Sequence, residues 1–267
     1  MIKILGILNL TPDSFYAPSR TPASEVVTSA SEMLEKGAWG IDLGAVSTRP
    51  GHTPVSEEEE WRRLSPSLEL LRRELPGTHF SVDTFRSSIV QKVYDILGPF
   101  TVNDITAGAL DPEMLPLVGK LGLPYIAMHI HGSPSAPEPT AGPIVDDVVH
   151  YFTEFEAKAV DAGIKEWILD PGFGFSKTLE QNYQLLEGLR ELKAAFEQPI
   201  LVGLSRKSMV YKALGISPEE AMPATQVLQF AALERGASWL RVHDVAAAVQ
   251  TARLYSTIYT SSPGAAK

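Results

Sequence analysis

Cysteine is absent from the 267 residues. That excludes disulfides, thiolate metal sites and cysteine nucleophiles together. Basic residues are in deficit, with 23 Lys and Arg against 32 Asp and Glu and a formal net charge of −9. A general nucleic-acid binder needs a basic face to replace counterions on phosphates, so that class is excluded, although a local basic pocket is not. No apolar run reaches the ~18–20 residues that span a bilayer. The run Ile4–Leu10 is led by a single Lys3 and broken at once by Thr11-Pro12-Asp13, too soon for a signal peptide. The expectation is a soluble, cytoplasmic protein with no membrane and no nucleic-acid partner.

What is present is an ordinary globular mix, 44% hydrophobic and 21% charged. Disorder needs low hydrophobicity and high net charge, so it is excluded. Short apolar, β-branched runs recur at Ile2–Leu8, Gly40–Leu43, His79–Val82, Phe100–Val102, Pro124–Met128, Glu166–Leu169, Pro199–Gly203 and Trp239–Val242. None has an evident polar face, which suits strands buried on both sides. Between them lie stripes at helical spacing. One is Val26, Val27, Ala30, Met33 and Leu34; a second is Trp61, Leu64, Leu68 and Leu71, with Pro66 inside it as a kink or break. A third runs from Val145 to Ala159, and a fourth is Leu179, Tyr183, Leu186, Leu189 and Leu192. Ser217-Pro218-Glu219-Glu220 and Thr178-Leu179-Glu180-Gln181 read as helix starts, and Gly37, Gly163 and Gly236 as helix stops.

Eight strands alternate with about eight helices, at about 33 residues per unit, the length of a βα repeat. The expected fold is α/β, a single (β/α)8 barrel domain spanning 1–267, with a doubly wound open sheet as the alternative. Gly132–Pro143 reads as a long loop.

Polar clusters follow the strands. They are Asn9 to Phe15, Asp42 with Ser47 to Gly51, Asp83-Thr84, Asn103-Asp104, His129 with His131, Asp170 to Phe175, Ser205 to Ser208, and Arg241 with His243-Asp244. A single Asp or Ser after a strand is as often the N-cap of the next helix. Eight clusters at eight successive strand ends exceed what capping needs, and Lys207 and Arg241 cap no helix. A barrel gathers such ends at one mouth, where its active sites lie. Asp83, Asn103, Asp170 and Lys207 combine acceptors and donors that suit a flat heterocycle with several N–H and C=O edges. Arg49, Arg241 and His243 suit an anion, and the amide oxygen of Asn9 suits Mg²⁺.

Other features have plainer readings. Glu57–Glu60 reads as an exposed first helical turn, where the dipole favours anions. His129 and His131, at the end of the fifth strand, are not read as a metal pair. Arg86 reads as structural and Phe173 as core.

These clusters also carry a resemblance. Gly6 to Phe15, Asp42-Leu43-Gly44 with Ser47-Thr48-Arg49-Pro50-Gly51, Asp170 to Phe175, Ser205-Arg206-Lys207-Ser208 and Arg241-Val242-His243-Asp244 resemble the dihydropteroate synthase family. The Asn103-Asp104 and Met128-His129 pairs fit the same order. The resemblance implies a TIM-type barrel that condenses 6-hydroxymethyl-7,8-dihydropterin diphosphate with 4-aminobenzoate in folate biosynthesis. It implies that Asp83, Asn103, Asp170, Lys207 and Arg241 hold the pterin, with Asp83, Lys207 and Arg241 as the catalytic set. Asn9, Arg241 and His243 would face the diphosphate, with Asn9 ligating Mg²⁺. Thr48, Arg49, Pro50, Phe175 and Ser208 would frame the aminobenzoate pocket, where sulfonamides compete. A homodimer is implied too, with the stripe Val245, Ala248, Val249, Ala252 and Leu254 as its candidate surface.

The chain departs from the family pattern at Tyr16-Ala17-Pro18-Ser19 and at Gly44-Ala45-Val46. Two alternatives are a methyltetrahydrofolate-dependent methyltransferase and a catalytically idle paralogue. The joint presence of the Ser47–Gly51 and Ser205–Ser208 loops favours the synthase over the first. The altered Tyr16–Ser19 loop is the only support for the second.

Overall fold

The computed structural model describes residues 1–10, 25–46, 55–133 and 135–260. The strands are β1 (Lys3–Asn9), β2 (Gly40–Gly44), β3 (His79–Asp83), β4 (Thr101–Asp104), β5 (Tyr125–Met128), β6 (Gly132–Ser133), β7 (Ala136–Pro137), β8 (Trp167–Asp170), β9 (Leu201–Val202) and β10 (Trp239–Val242). The helices are α1 (Val26–Glu35), α2 (Glu57–Glu74), α3 (Ser87–Leu97), α4 (Met114–Leu121), α5 (Ile144–Asp161), α6 (Leu179–Glu187), α7 (Leu189–Ala195), α8 (Ser208–Leu214), α9 (Met222–Glu234) and α10 (Val245–Thr260). Eight strands pair in parallel in the order β8-β5-β4-β3-β2-β1-β10-β9. A parallel bridge from Leu169 to Ile200 joins the two ends, so the sheet closes into a barrel. β2, β4, β5 and β10 are buried along their whole length, as expected where helices cover one face and the lumen the other.

Strand alternation sorts the core into two zones. Leu8, Ile41, Val82, Val102, Ala127 and Leu169 pack outward against the helices, with Leu64, Leu68, Val90, Phe152 and Leu192. Leu5, Ile126, Ile168, Leu201 and Trp239 form a separate apolar cluster that fills the barrel floor. Below it, Trp39 stacks on His79 at 4.2 Å and meets Trp239 edge-on at 4.8 Å. Lys3 Nζ caps both indoles at 4.0 and 4.5 Å, an attraction to the ring faces.

Several helices depart from the sequence reading for local reasons. α2 runs unbroken through Pro66, whose exposed position leaves the unpaired carbonyl one turn back to solvent. The stripe from Leu179 to Leu192 divides at Gly188 into α6 and α7. There a Cβ would lie 2.3 Å from Val145 Cγ2, so close packing on α5 selects glycine. The capping signature at Ser217 closes a turn, in which Glu220 accepts from the Ser217 amide at 3.0 Å, and α9 begins later. Thr178 does form a reciprocal capping box with Gln181. Gly37, Gly163 and Gly236 follow helices with φ of 98°, 77° and 103°, the left-handed turn expected of them. The loop expected at Gly132–Pro143 contains the β6–β7 hairpin.

Two surface readings are corrected. Glu60 is fully buried and pairs with Arg86, so the acidic run is not exposed throughout. On α10, Val245, Ala248 and Ala252 are buried against the barrel, and only Leu254 of the proposed dimer stripe is well exposed. A helix packed on a sheet must spend its apolar stripe there, which leaves that stripe unavailable to a second copy. Among the described residues, no helix is long and apolar enough to cross a membrane.

Candidate active site

The same alternation that sends Leu5, Ile126, Ile168 and Trp239 into the lumen sends in the residues two and four positions later. Those are Asn9, Met128, Asp170, Arg241 and His243. Register aligns Asp42 with Ser81, Gly44 with Asp83, and Asp83 with Asn103, which completes a polar layer above the apolar floor.

Asp42 is the hub. It accepts from Ser81 Oγ, and from Asn103 Nδ2 at 3.1 and 3.3 Å. Asn103 Oδ1 in turn accepts from Arg241 Nη1 at 3.3 Å. The guanidinium also meets Asp170 at 3.2 Å and lies 4.0 Å from Asp42. A Cβ on Gly203 would come within 3.3 Å of Arg241 Nη2, so glycine on the neighbouring strand makes room for the charge. Asp170 spends its other oxygen on the Gly172 amide at 2.9 Å. Burial, then the charge of Asp42, holds the Asp83 carboxyl well above the usual carboxylate range. A carboxyl at the lumen wall accepts from the N–H groups of a heterocycle edge. Burial works against the charge of Arg241, but Asp170, Asp42 and Asp83 outweigh it and raise its pKa.

Lys207 stands at the N-terminal boundary of α8, where its side chain caps no helix amide and instead donates to Phe173 O. Its Nζ lies 4.6 Å from the centre of the Phe175 ring. Burial pushes this ammonium down to about 7. His243 is pushed down to about 4, again by burial, so it is a neutral ring at pH 7. These two residues sit on loops tied together by Arg206, which makes a two-pronged pair with Asp244 at 2.9 Å on each side. Arg206 also donates to the carbonyls of Pro218 and Glu219 at 3.0 and 2.7 Å, and holds a left-handed φ of 53°.

At the rim, Ile105, Met128 and Ile130 form an apolar wall with Phe175 against it. Ser208 opens α8 beside Lys207. Asn9 ends β1, and a Cβ on the facing Gly44 would lie 3.3 Å from its Oδ1. That bare strand end leaves the amide oxygen room for a hard cation, so Asn9 fits Mg²⁺. Thr48, Arg49 and Pro50 lie outside the described residues, as does the Tyr16–Ser19 departure.

Sequence reasoning missed three elements of this site. Asp42 was noticed but given no role, although its strand parity marks it. Asp104, next to Asn103, faces away from the lumen; it accepts from Tyr125 Oη at 2.6 Å and from the Thr106 and Gly108 amides at 2.7 and 2.9 Å, which organises the turn after β4. The third is a pairing. Past β5, which ends at Met128, His129 and His131 come together, and each places Nε2 2.9 Å from Asp147 Oδ2 on α5.

Two histidines and a carboxylate with ligand atoms within 4.8 Å of one another have the composition of a metal site. The other nitrogen of His129 argues against that use. Lys177 Nζ lies 2.9 Å from His129 Nδ1, 3.0 Å from Gly172 O and 3.1 Å from Phe175 O. An ammonium donates to all three, so Nδ1 accepts and Nε2 keeps the ring proton, which it gives to Asp147. A metal at Nε2 would have to displace that proton.

An apolar-floored parallel barrel whose mouth carries carboxyl, amide, guanidinium and ammonium groups defines a ring-binding enzyme of the α/β barrel class. A family model described as pterin binding enzyme matches residues 5–243. The chain belongs to that family. Within it, the chain is 37% identical over 256 residues to the dihydropteroate synthase of Escherichia coli (strain K12), covering 94% of this chain and 89% of the relative. It superposes with a TM-score of 0.91 on the Yersinia pestis dihydropteroate synthase with a sulfonamide drug complex, at 36% identity, covering 98% and 95% of the two chains. The Xanthomonas albilineans dihydropteroate synthase with 4-aminobenzoic acid gives a TM-score of 0.89 at 34% identity, covering 98% and 94%.

Proposed function

We propose that this chain is a dihydropteroate synthase, a transferase of folate biosynthesis. It joins the methylene carbon of 6-hydroxymethyl-7,8-dihydropterin diphosphate to the amine of 4-aminobenzoate. The observation that carries this reading is the lumen layer in which Asp42, Asn103, Asp170 and Arg241 interlock beneath Asp83 and Lys207. Its carboxyl, amide and ammonium groups suit the edges of an aminopyrimidine ring, and its guanidinium suits both a ring face and a phosphate.

Asp83, Asn103, Asp170 and Lys207 bind the pterin edge. Arg241 stacks on the ring and, with His243, faces the diphosphate. The C–O bond to diphosphate breaks and its electron pair leaves with the phosphate. Positive charge left on the pterin is favoured by the carboxyl of Asp83 and the carboxylates around it. The arylamine lone pair then forms the new C–N bond, and one amine proton passes to solvent. No protein nucleophile is needed, because orienting two rings at one mouth supplies much of the rate. Asn9 would hold Mg²⁺, whose chemistry there is to neutralise the departing diphosphate. Phe175 and Ser208, together with Thr48, Arg49 and Pro50, frame the aminobenzoate pocket, which a sulfonamide would contest. A cytoplasmic homodimer is the assembly we propose.

Diphosphate release from the purified chain tests this. Release should require both the pterin diphosphate and 4-aminobenzoate, fall with a sulfonamide, and drop on the order of 100-fold or more in Lys207→Ala. Pterin binding without aminobenzoate-dependent turnover overturns it and leaves an idle pterin-binding barrel.

A further inference from the structure

The turn after β8 is unusual in its backbone. Gly172, Gly174 and Ser176 have φ of 71°, 82° and 55°, three left-handed residues within five. Ser176 carries a Cβ in that region, so the surroundings must hold it there. A Cβ on Gly172 would lie 2.1 Å from His129 O, which shows how tightly this turn is pressed on the end of β5.

Such a backbone turns its carbonyls toward shared points, and lysines occupy both. Lys207 takes Phe173 O from the mouth side. Lys177 takes Gly172 O and Phe175 O, and its remaining proton reaches His129 Nδ1. The Gly174 amide is held separately by Asn182 Oδ1 of α6 at 2.7 Å. Under the function proposed above, Lys207 shares its three donors between Phe173 O and substrate. Lys177 spends its donors on the turn and His129 alone. Phe175, whose own carbonyl Lys177 holds, packs against the rim residues Ile105, Met128 and Ile130.

We propose that Lys177 is a positioning residue for this reaction: from behind the turn it fixes the Gly172–Phe175 backbone and holds His129 Nδ1, and so sets the Phe175 wall of the aminobenzoate pocket. It touches neither substrate. Its effect reaches the reaction through Phe175 on one side and through the His129–Asp147–His131 network on the other. The inference rests on the function proposed above for its kinetic consequence, but its structural consequence stands apart from turnover.

The test uses the full chain and Lys177→Met, with Lys177→Arg beside it. Imidazole ¹⁵N spectra of the parent at pH 6 should show His129 protonated at Nε2 and bare at Nδ1; a parent protonated at Nδ1 overturns the proposal before any variant is made. In Lys177→Met the Nδ1 resonance should shift as that nitrogen loses its donor, with Asp147 keeping the proton on Nε2. KM for 4-aminobenzoate should rise ~10-fold while KM for the pterin diphosphate and kcat each stay within ~2-fold. Lys177→Arg should not rescue the aminobenzoate KM, because a planar fork cannot reach three acceptors from one nitrogen. Full rescue by arginine, unchanged constants in a folded Lys177→Met, or equal loss of both KM values in step with Tm would each overturn it. A parent that does not turn over fails the proposed function and leaves the imidazole result to judge Lys177 separately.

Discussion

At the scale of single residues, the mouth is set by what burial does to charge. Lys207 is held near 7 by burial, against the usual 10.5 for a lysine. A bound ring carbonyl or phosphate oxygen favours the charged form and must raise that pKa. At pH 8 the free site is therefore mostly neutral and the occupied site charged, so binding takes up protons from the buffer. At pH 6 Lys207 is already charged and the uptake should vanish. Calorimetry of pterin diphosphate binding in two buffers of different ionisation enthalpy should show uptake at pH 8 that disappears in Lys207→Met. Equal binding enthalpies in the two buffers at pH 8 would contradict this account.

The individual lumen residues were legible because strand parity and polarity agree. Asn9, Asp83, Asn103, Asp170 and Arg241 each stand where an apolar run turns polar, and each is found at the mouth. Asp147 was illegible for a physical reason. Its two histidine partners lie 16 and 18 residues away, joined only by the packing of α5 on the barrel. Lys177 was hidden likewise, because its value lies in carbonyls that a string of side-chain types does not display.

At the scale of elements, the short contacts between helices and strands fall on glycines. Gly119 sits in α4, and a Cβ there would lie 1.8 Å from Ala162 O, at the C-cap of α5. No side-chain rotation relieves a clash with backbone, so α4 and α5 must separate. Gly119→Ala should lower stability by roughly 1–3 kcal/mol, as overpacking does, even though alanine is the better helix former. Urea unfolding measures this, and a variant as stable as the parent would show that the two helices slide freely. Strand positions were readable from apolar runs because every barrel strand is buried on both faces. Helix boundaries were less so. Ser217 has the residues of a capping box but spends them on a turn, since the loop after α8 must first bring Pro218 and Glu219 back to Arg206.

At the scale of the whole molecule, the barrel divides its labour along its axis. The floor is apolar and aromatic, and the mouth is charged and strained. A chain with net charge −9 thus keeps half-buried Lys207 and buried Arg241 at one end of a lumen whose other end is closed by indoles. Changes at the floor should alter stability and leave substrate constants alone, the division expected of this architecture.

That closed floor has a practical consequence for anyone watching the protein with light. Of the four tryptophans, Trp39, Trp167 and Trp239 stand at the N-terminal ends of strands, roughly 7–10 Å by strand rise from Asp42, Asp170 and Arg241. Only Trp61, on the first turns of α2, stands apart from them. In a Trp61→Phe protein, the emission maximum should ignore saturating substrate and shift red only as the barrel opens in denaturant. The indoles would then serve as a built-in gauge of folding that is blind to occupancy. A shift on adding substrate would mean that the two ends of the barrel are mechanically linked.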